Sequence, residues 1–280
     1  GLNKEKLAQL MVGRDVVFAV KKEAQAFGST ILEVKNLQAA NNKGTPALRG
    51  VSLTIRAGEV LGIAGVAGNG QSELAECITG LRVCETGSVQ VDGLELANQP
   101  PITAIHAGVS HIPEDRTRVG SAPNLTITDN VIMKHYRSAP IGNGATIDAA
   151  QATSYAQNLK KTYDILAPSV RTQARKLSGG NLQKVILSRE ITANPRLIVA
   201  VQPTRGLDVG AVEAIQEHLL EQRKQGAAIL LISEELEELL TLSDRIAVLF
   251  DGRVMGVVGG ATASVEEIGL MMMGAERTIA

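Results

Sequence analysis

A short apolar run ends abruptly in closely spaced glycines: Val60-Leu61-Gly62-Ile63-Ala64, then Gly65-Val66-Ala67-Gly68-Asn69-Gly70-Gln71-Ser72. From Ser72 the spacing turns helical, with Leu74, Ala75, Ile78 and Leu81 on one face. Buried strand, tight glycine turn and helix, in that order, point to an α/β core built around a phosphate-binding loop. Such a loop reads G-x-x-x-x-G-K-[ST]. Its glycines let backbone N–H groups approach phosphate oxygens, its lysine offsets their charge and its hydroxyl reaches Mg²⁺. Gly65, Gly68, Gly70 and Ser72 keep that outline here, but Gln71 stands where the lysine belongs. An amide donates a hydrogen bond without charge. Losing a charge-assisted contact costs on the order of 1.5–3 kcal/mol, or ~10–100-fold in affinity.

Around this unit the chain alternates strands and helices. Ile31–Val34 and Val51–Ile55 alternate as strands of a small antiparallel sheet, with a turn at Asn41-Asn42-Lys43-Gly44. Ser88–Val91 reads as a further strand, closed by Asp92-Gly93. Leu197–Val201 and Ala228–Ile232 are unbroken apolar runs of the kind that parallel strands buried on both faces require. Leu182–Ile191, Val212–Lys224 and Leu236–Leu242 read as helices, and Arg245–Phe250 as a last strand ending at Asp251-Gly252. Residues 116–175 are poorer in β-branched runs, which implies an inserted helical lobe.

Two short stretches resemble one another: Lys6-Leu7-Ala8-Gln9-Leu10-Met11-Val12-Gly13 near the start and Glu267-Ile268-Gly269-Leu270-Met271-Met272-Met273-Gly274 near the end. A duplication would make residues 1–29 the tail of a preceding copy plus a linker, residues 30–260 a second copy and residues 261–280 its helical tail. The first residue is Gly1, which fits a fragment or processed chain.

The bulk numbers exclude some classes. The 280 residues carry a net charge of -1, which offers no field for nucleic acid, and aromatics make up only 2%, too few for base-stacking platforms. No run of about 20 apolar residues can span a bilayer, and no signal peptide is visible. Cys77 and Cys84 lack metal-ligand spacing and read as reduced core thiols.

A second motif, Leu177-Ser178-Gly179-Gly180-Asn181-Leu182-Gln183, places a hydroxyl and two glycines where a helix opens at about Asn181, so that backbone N–H groups and the helix dipole face an anion. Downstream, Leu197–Val201 leads into Gln202-Pro203-Thr204-Arg205-Gly206-Leu207-Asp208, and Ile229–Ile232 into Ser233-Glu234. Ile112-Pro113-Glu114-Asp115-Arg116 precedes the helical lobe. In this order the motifs resemble the nucleotide-binding domain of an ATP-binding cassette (ABC) transporter over roughly residues 30–260. The implied fold is a P-loop ABC ATPase core with an antiparallel β subdomain and an inserted helical lobe.

The resemblance implies that Gly65, Gly68, Asn69, Gly70, Gln71, Ser72 and Glu73 face ATP. It places Ser178, Gly179, Gly180 and Asp208 at the junction with a partner domain, and Ser72 and Glu114 near Mg²⁺. It also exposes departures. Val201 takes the place of the Mg²⁺-binding Asp, Gln202 that of the Glu that activates water, Glu234 that of the switch His, and Glu114 that of a Gln. An amide cannot act as a general base near neutral pH. The adenine-stacking aromatic is missing between Val34 and Leu48, leaving Leu37 or Ala47 for apolar contact.

In the family, domains pair head to tail and each ATP lies between one phosphate loop and the opposite signature. A weak or absent ATP/Mg²⁺ site beside an intact Ser178-Gly179-Gly180 therefore implies a partner, namely an amino-terminal ABC domain of the same polypeptide. Tandem domains with a degenerate second copy look like bacterial importers of nucleosides and monosaccharides. Gly-Asn-Gly-Gln-Ser-Glu at 68–73, Pro-Glu-Asp-Arg at 113–116 and Gln-Pro-Thr-Arg-Gly-Leu-Asp-Val-Gly at 202–210 favour the nucleoside branch. Transmembrane permease subunits and, indirectly, a solute-binding protein are the further partners implied, with the chain peripheral at the cytoplasmic face of the membrane. A domain that hydrolyses ATP with unusual residues, and a non-transport ABC ATPase, are the competing readings.

Overall fold

The computed structural model describes residues 22–275. The first member of the proposed repeat, Lys6–Gly13, lies outside these residues. Two compact units divide the chain. One holds Ile112–Asn194 and Pro203–Ile215; the other holds the described residues up to His111, Pro195–Gln202, and those from Gln216 onward.

The larger unit is built on two sheets. Strands β1 (Thr30–Ala40) and β2 (Pro46–Arg56) are each longer than the sequence periodicity indicates. They join β4 (Thr86–Val91) and β5 (Leu94–Glu95) in an antiparallel sheet of order β2-β1-β4-β5. Their inward residues, among them Ile31, Val34, Leu37, Val51, Ile55 and Val89, are almost wholly buried, as alternation on a one-sided sheet requires. The second sheet contains β3 (Val60–Ala64), β6 (Val109–Ile112), β7 (Leu197–Val201), β8 (Ala228–Ile232), β9 (Arg245–Phe250) and β10 (Arg253–Gly259) in the order β10-β9-β3-β8-β7-β6. Every residue of β3, β7 and β8 is buried, and these three strands and β9 run parallel. β10 returns antiparallel to β9.

Helix α1 (Gln71–Ile78) follows the glycine loop and ends one turn earlier than its apolar spacing suggests. Gly80 adopts φ 74°, its N–H bonds the Cys77 carbonyl, and the Leu81 N–H bonds the Glu76 carbonyl at 2.8 Å. This pair of bonds is a Schellman stop, and it leaves Leu81 51% exposed instead of on the buried face. Cys77 and Cys84 are both free and buried. A short helix, α2 (Pro101–His106), precedes β6.

The regular structure of the smaller unit is helical: α3 (Ile127–Val131), α4 (Ala149–Thr162) and α5 (Gly179–Ile191). The inserted lobe read over residues 116–175 falls inside it. Thr126 and Asp129 form a capping box that starts α3, and Asp148 caps α4. Helix α6 (Val209–Lys224) begins in this unit and continues into the other, where α7 (Leu236–Leu242) and α8 (Val265–Met272) complete the chain. No helix among the described residues is long and apolar enough to cross a membrane.

Candidate functional site

The parallel strands bring three loops to one edge of the central sheet. Ile63 of β3 pairs with Ile232 of β8, and Val201 of β7 pairs with the same residue. The glycine loop, Gln202 and Ser233-Glu234 therefore all leave the sheet at its carboxyl end, where open α/β sheets bind ligands.

The loop is closed on itself. Gln71 is only 8% exposed. Its Nε2 donates to the Val66 carbonyl at 3.0 Å, and its Oε1 accepts from the Asn69 N–H at 3.1 Å. The Asn69 side chain also donates to the Val66 carbonyl, at 3.0 Å, and accepts from the Asp251 N–H at 2.8 Å. Gly70 sits at φ 105°, and a Cβ there would lie 2.5 Å from the Ala47 carbonyl oxygen. A Cβ on Gly65 would lie 2.4 Å from Gln71 Nε2. The fold itself therefore requires both glycines. Gly68, at φ 90°, has open space around it. Ser72 is exposed and Glu73 half-buried, both in the first turn of α1.

Val201 is buried, and Gln202 takes a left-handed conformation, φ 49°. The Gln202 Oε1 accepts from the Glu234 N–H at 3.3 Å. This residue, expected where a water-activating base would sit, thus serves as a brace for the next loop. The Glu234 carboxylate is exposed. Leu37 is wholly buried in the core, which removes it as an apolar adenine contact and leaves only the half-buried Ala47.

The side chains at this edge offer neither a lysine for ATP phosphates nor an acid at Val201 for Mg²⁺. The Asn69 N–H, one of the amides a phosphate would take, is already engaged by Gln71. Val201 supplies no ligand oxygen from its side chain, and the described residues contain no cluster of three or more His, Cys, Asp or Glu able to hold a metal.

The smaller unit presents a different surface. Ser178 caps α5, which starts at Gly179, two residues before the expected point. Its hydroxyl accepts from Asn181 Nδ2 at 2.9 Å, while Asn181 Oδ1 accepts from the Leu166 N–H at 2.7 Å. Ser178 and Gly179 are exposed and Gly180 partly so. Leaving aside chain neighbours and the helix's own backbone, a Cβ on Gly179 would come no closer than 3.6 Å to a described atom, Arg116 Nη1, and one on Gly180 no closer than 3.5 Å, Ala211 Cβ. These are ordinary contacts, so packing among the described residues does not demand either glycine. Asp208 Oδ2 lies 3.6 Å from the Gly180 Cβ position, and its Oδ1 accepts from the Ala211 N–H at 3.0 Å, starting α6. Buried Gln183 on α5 donates to the Pro203 carbonyl at 2.8 Å, which ties the signature helix to the segment carrying Asp208.

Two arginines that the sequence motifs contain but do not single out flank this turn. Arg116 Nη2 donates to the Arg205 carbonyl, and the Arg205 guanidinium pairs with Glu114. The Glu114 carboxylate, read from sequence as a weak metal ligand, is thus engaged by an arginine. Arg116 Nε is buried without a hydrogen-bond partner, and Arg116 has no ion pair among the described residues. Burial, and then the neighbouring Arg205 charge, lower its pKa from the usual guanidinium value. The Arg116 guanidinium thus lies beside Gly179 at the positive, amino-terminal end of α5. The only signal in the sequence was that both arginines adjoin recognised motifs.

The family pattern described as ABC transporter matches residues 48–205. The chain is 48% identical over 270 residues to the glucose import ATP-binding protein TsgD13 of Haloferax volcanii, covering 96% of this chain and 49% of that protein. It is 43% identical to the guanosine import ATP-binding protein NupO of Bacillus subtilis, covering 97% of this chain and 53% of the relative. The chain therefore spans about half the length of the curated relatives it matches. Among solved structures, a nucleotide-free ATP-binding cassette from an ABC transporter superposes with TM-score 0.71 at 25% identity, covering 87% of this chain and 95% of the other.

Proposed function

Because this chain belongs to the ABC transporter family, we propose that it is the second ATP-binding domain of an importer and works by completing another domain's site. In this reading its own nucleotide site is degenerate. Ser178, Gly179, Gly180 and Asp208 close over ATP held by an amino-terminal ABC domain of the same polypeptide. That polypeptide docks on transmembrane permease subunits at the cytoplasmic face of the membrane, with a solute-binding protein upstream. Relatives about twice as long as this chain support a further domain on the same polypeptide.

The observation that carries the reading is the pair Gly179 and Gly180. Glycine in a helix is less favourable than alanine by about 1 kcal/mol, yet nothing among the described residues excludes a Cβ at either position. In this reading the need for bare backbone comes from something approaching from outside, and the amino-terminal end of α5 beside Arg116 favours an anion there. At the degenerate site the acid, base and cation positions of phosphoryl transfer hold Val201, Gln202 and Gln71.

The solute is a nucleoside or a monosaccharide. The motif reading and relatives named for guanosine and nucleoside import favour the first; the glucose import relative favours the second. Rescue of uptake in cells lacking either class of importer separates the two.

The domain assignment is tested by MgATP turnover. This chain alone is expected to be inactive, and Gln71→Lys alone not to restore activity, because Val201, Gln202 and Glu234 remain. Clear hydrolysis by either protein would refute a degenerate site.

A further inference from the structure

We infer that Gln71 is an internal ligand of the glycine loop, occupying in its own chain the position a phosphate group would take. This extends the proposed degeneracy of the loop and rests on that reading. The loss of a lysine predicts weaker binding; the geometry points to a loop that is filled.

The carboxamide does two jobs at once. Its Oε1 presents an acceptor to the Asn69 N–H at 3.1 Å, as a phosphate oxygen would. Its Nε2 donates to the Val66 carbonyl at 3.0 Å, holding the far side of the same turn. The side chain is almost wholly buried and packs against Gly65, where even a methyl group would collide with Nε2 at 2.4 Å. The loop is clamped from outside as well. The Gly252 N–H donates to the Asn69 carbonyl at 3.1 Å, the Asp251 N–H to Asn69 Oδ1, and Arg49 pairs with Asp251 at 2.9 Å.

An anion gains less from a loop whose Asn69 N–H is already taken, because it must first expel the carboxamide and leave both of its partners to water. A glycine loop that in a binding-competent domain is ordered by nucleotide is here ordered by Gln71. The chain can therefore keep the loop's shape through a transport cycle without a phosphate ligand. The excluded ligand class is a di- or triphosphate.

The test is a titration of the full chain with inorganic pyrophosphate, followed at the Asn69 amide by NMR, for wild type and Gln71→Ala. That amide reports the loop separately from the Ser178 turn. The wild-type Asn69 signal should stay put through millimolar pyrophosphate and its amide hydrogen should exchange slowly. In Gln71→Ala the signal should move saturably, with binding tightened at least ~10-fold, the scale of one recovered charge-assisted contact. Saturable wild-type binding in the micromolar range, fast exchange at Asn69, or a variant that binds no tighter would each overturn the proposal. If Gln71→Ala does not fold, the wild-type titration and exchange rate decide alone. Failure here leaves the Ser178 role standing, since that role is read from hydrolysis by the two-domain protein.

Discussion

The glycine loop at 65–72 and the turn at 178–181 are both glycine-rich starts of helices, yet their glycines answer to different neighbours. Gly65 and Gly70 are pressed by Gln71, Leu249 and Ala47 of the same chain; Gly179 and Gly180 have room for a side chain that is not there. The loop bonds inward through Gln71 and Asn69, whereas the Ser178 turn is exposed beside an arginine without a carboxylate partner among the described residues. The difference teaches that a binding motif is judged by whether its polar groups are spent at home.

The comparison can be broken first by alanine at matched positions. Gly70→Ala puts a methyl group on a φ of 105° against the Ala47 carbonyl and should lower stability by roughly 3 kcal/mol. Gly180→Ala should leave stability unchanged or raise it by up to about 1 kcal/mol. Urea unfolding of both variants decides, and equal losses would erase the distinction.

Next comes the anchoring of the signature helix. Buried Glu190 on α5 accepts from Arg189 Nε at 2.8 Å and pairs with Lys134. Burial alone would push its carboxyl up, but the Lys134 and Arg189 charges bring it below its ordinary 4.5. The folded pKa thus lies under the unfolded one, so the unfolded chain takes up the proton first as the medium acidifies. The stabilisation is complete above pH 4.5 and is lost as pH falls through the lowered folded value. Glu190→Gln should cost about 3–5 kcal/mol at neutral pH and flatten the acid limb of a stability profile. An unchanged limb would remove Glu190 from the account.

A smaller effect is expected from Arg116→Ala, which removes the cation beside Gly179. It should slow MgATP hydrolysis by the two-domain protein roughly tenfold with little change in melting. Smallest of all, Glu234→Ala removes an exposed carboxylate whose backbone N–H alone braces Gln202. It should shift stability by no more than ~0.5 kcal/mol and bring no hydrolysis to this chain alone. A gain of activity would mean that repulsion by Glu234 was the main block.

Much of this fold was legible because buried parallel strands leave unbroken apolar runs, as at Val60–Ala64, Leu197–Val201 and Ala228–Ile232. Arg253–Gly259 escaped notice for the opposite reason: it is mostly half-exposed, with no alternation to mark it. The stop after Ile78 did have a signal, Gly80, but apolar spacing through Leu81 outweighed it. At the site, motif positions revealed which charges are absent. They did not reveal where Gln71 goes, because that depends on the loop bringing the Val66 carbonyl and the Asn69 N–H within reach of one side chain. Nor did spacing pair Arg205 with Glu114, which meet only through the folded chain.

The most direct test is the MgATP hydrolysis rate of the complete two-domain protein, wild type against Ser178→Arg. The account predicts a fall of more than ~100-fold, the scale for losing a donor to a transferring phosphate, with the fold retained and stability lowered only by the lost helix cap, about 1 kcal/mol. Undiminished turnover would mean that this signature serves no catalytic site, and the assignment of the chain as the completing half of a pair would fall.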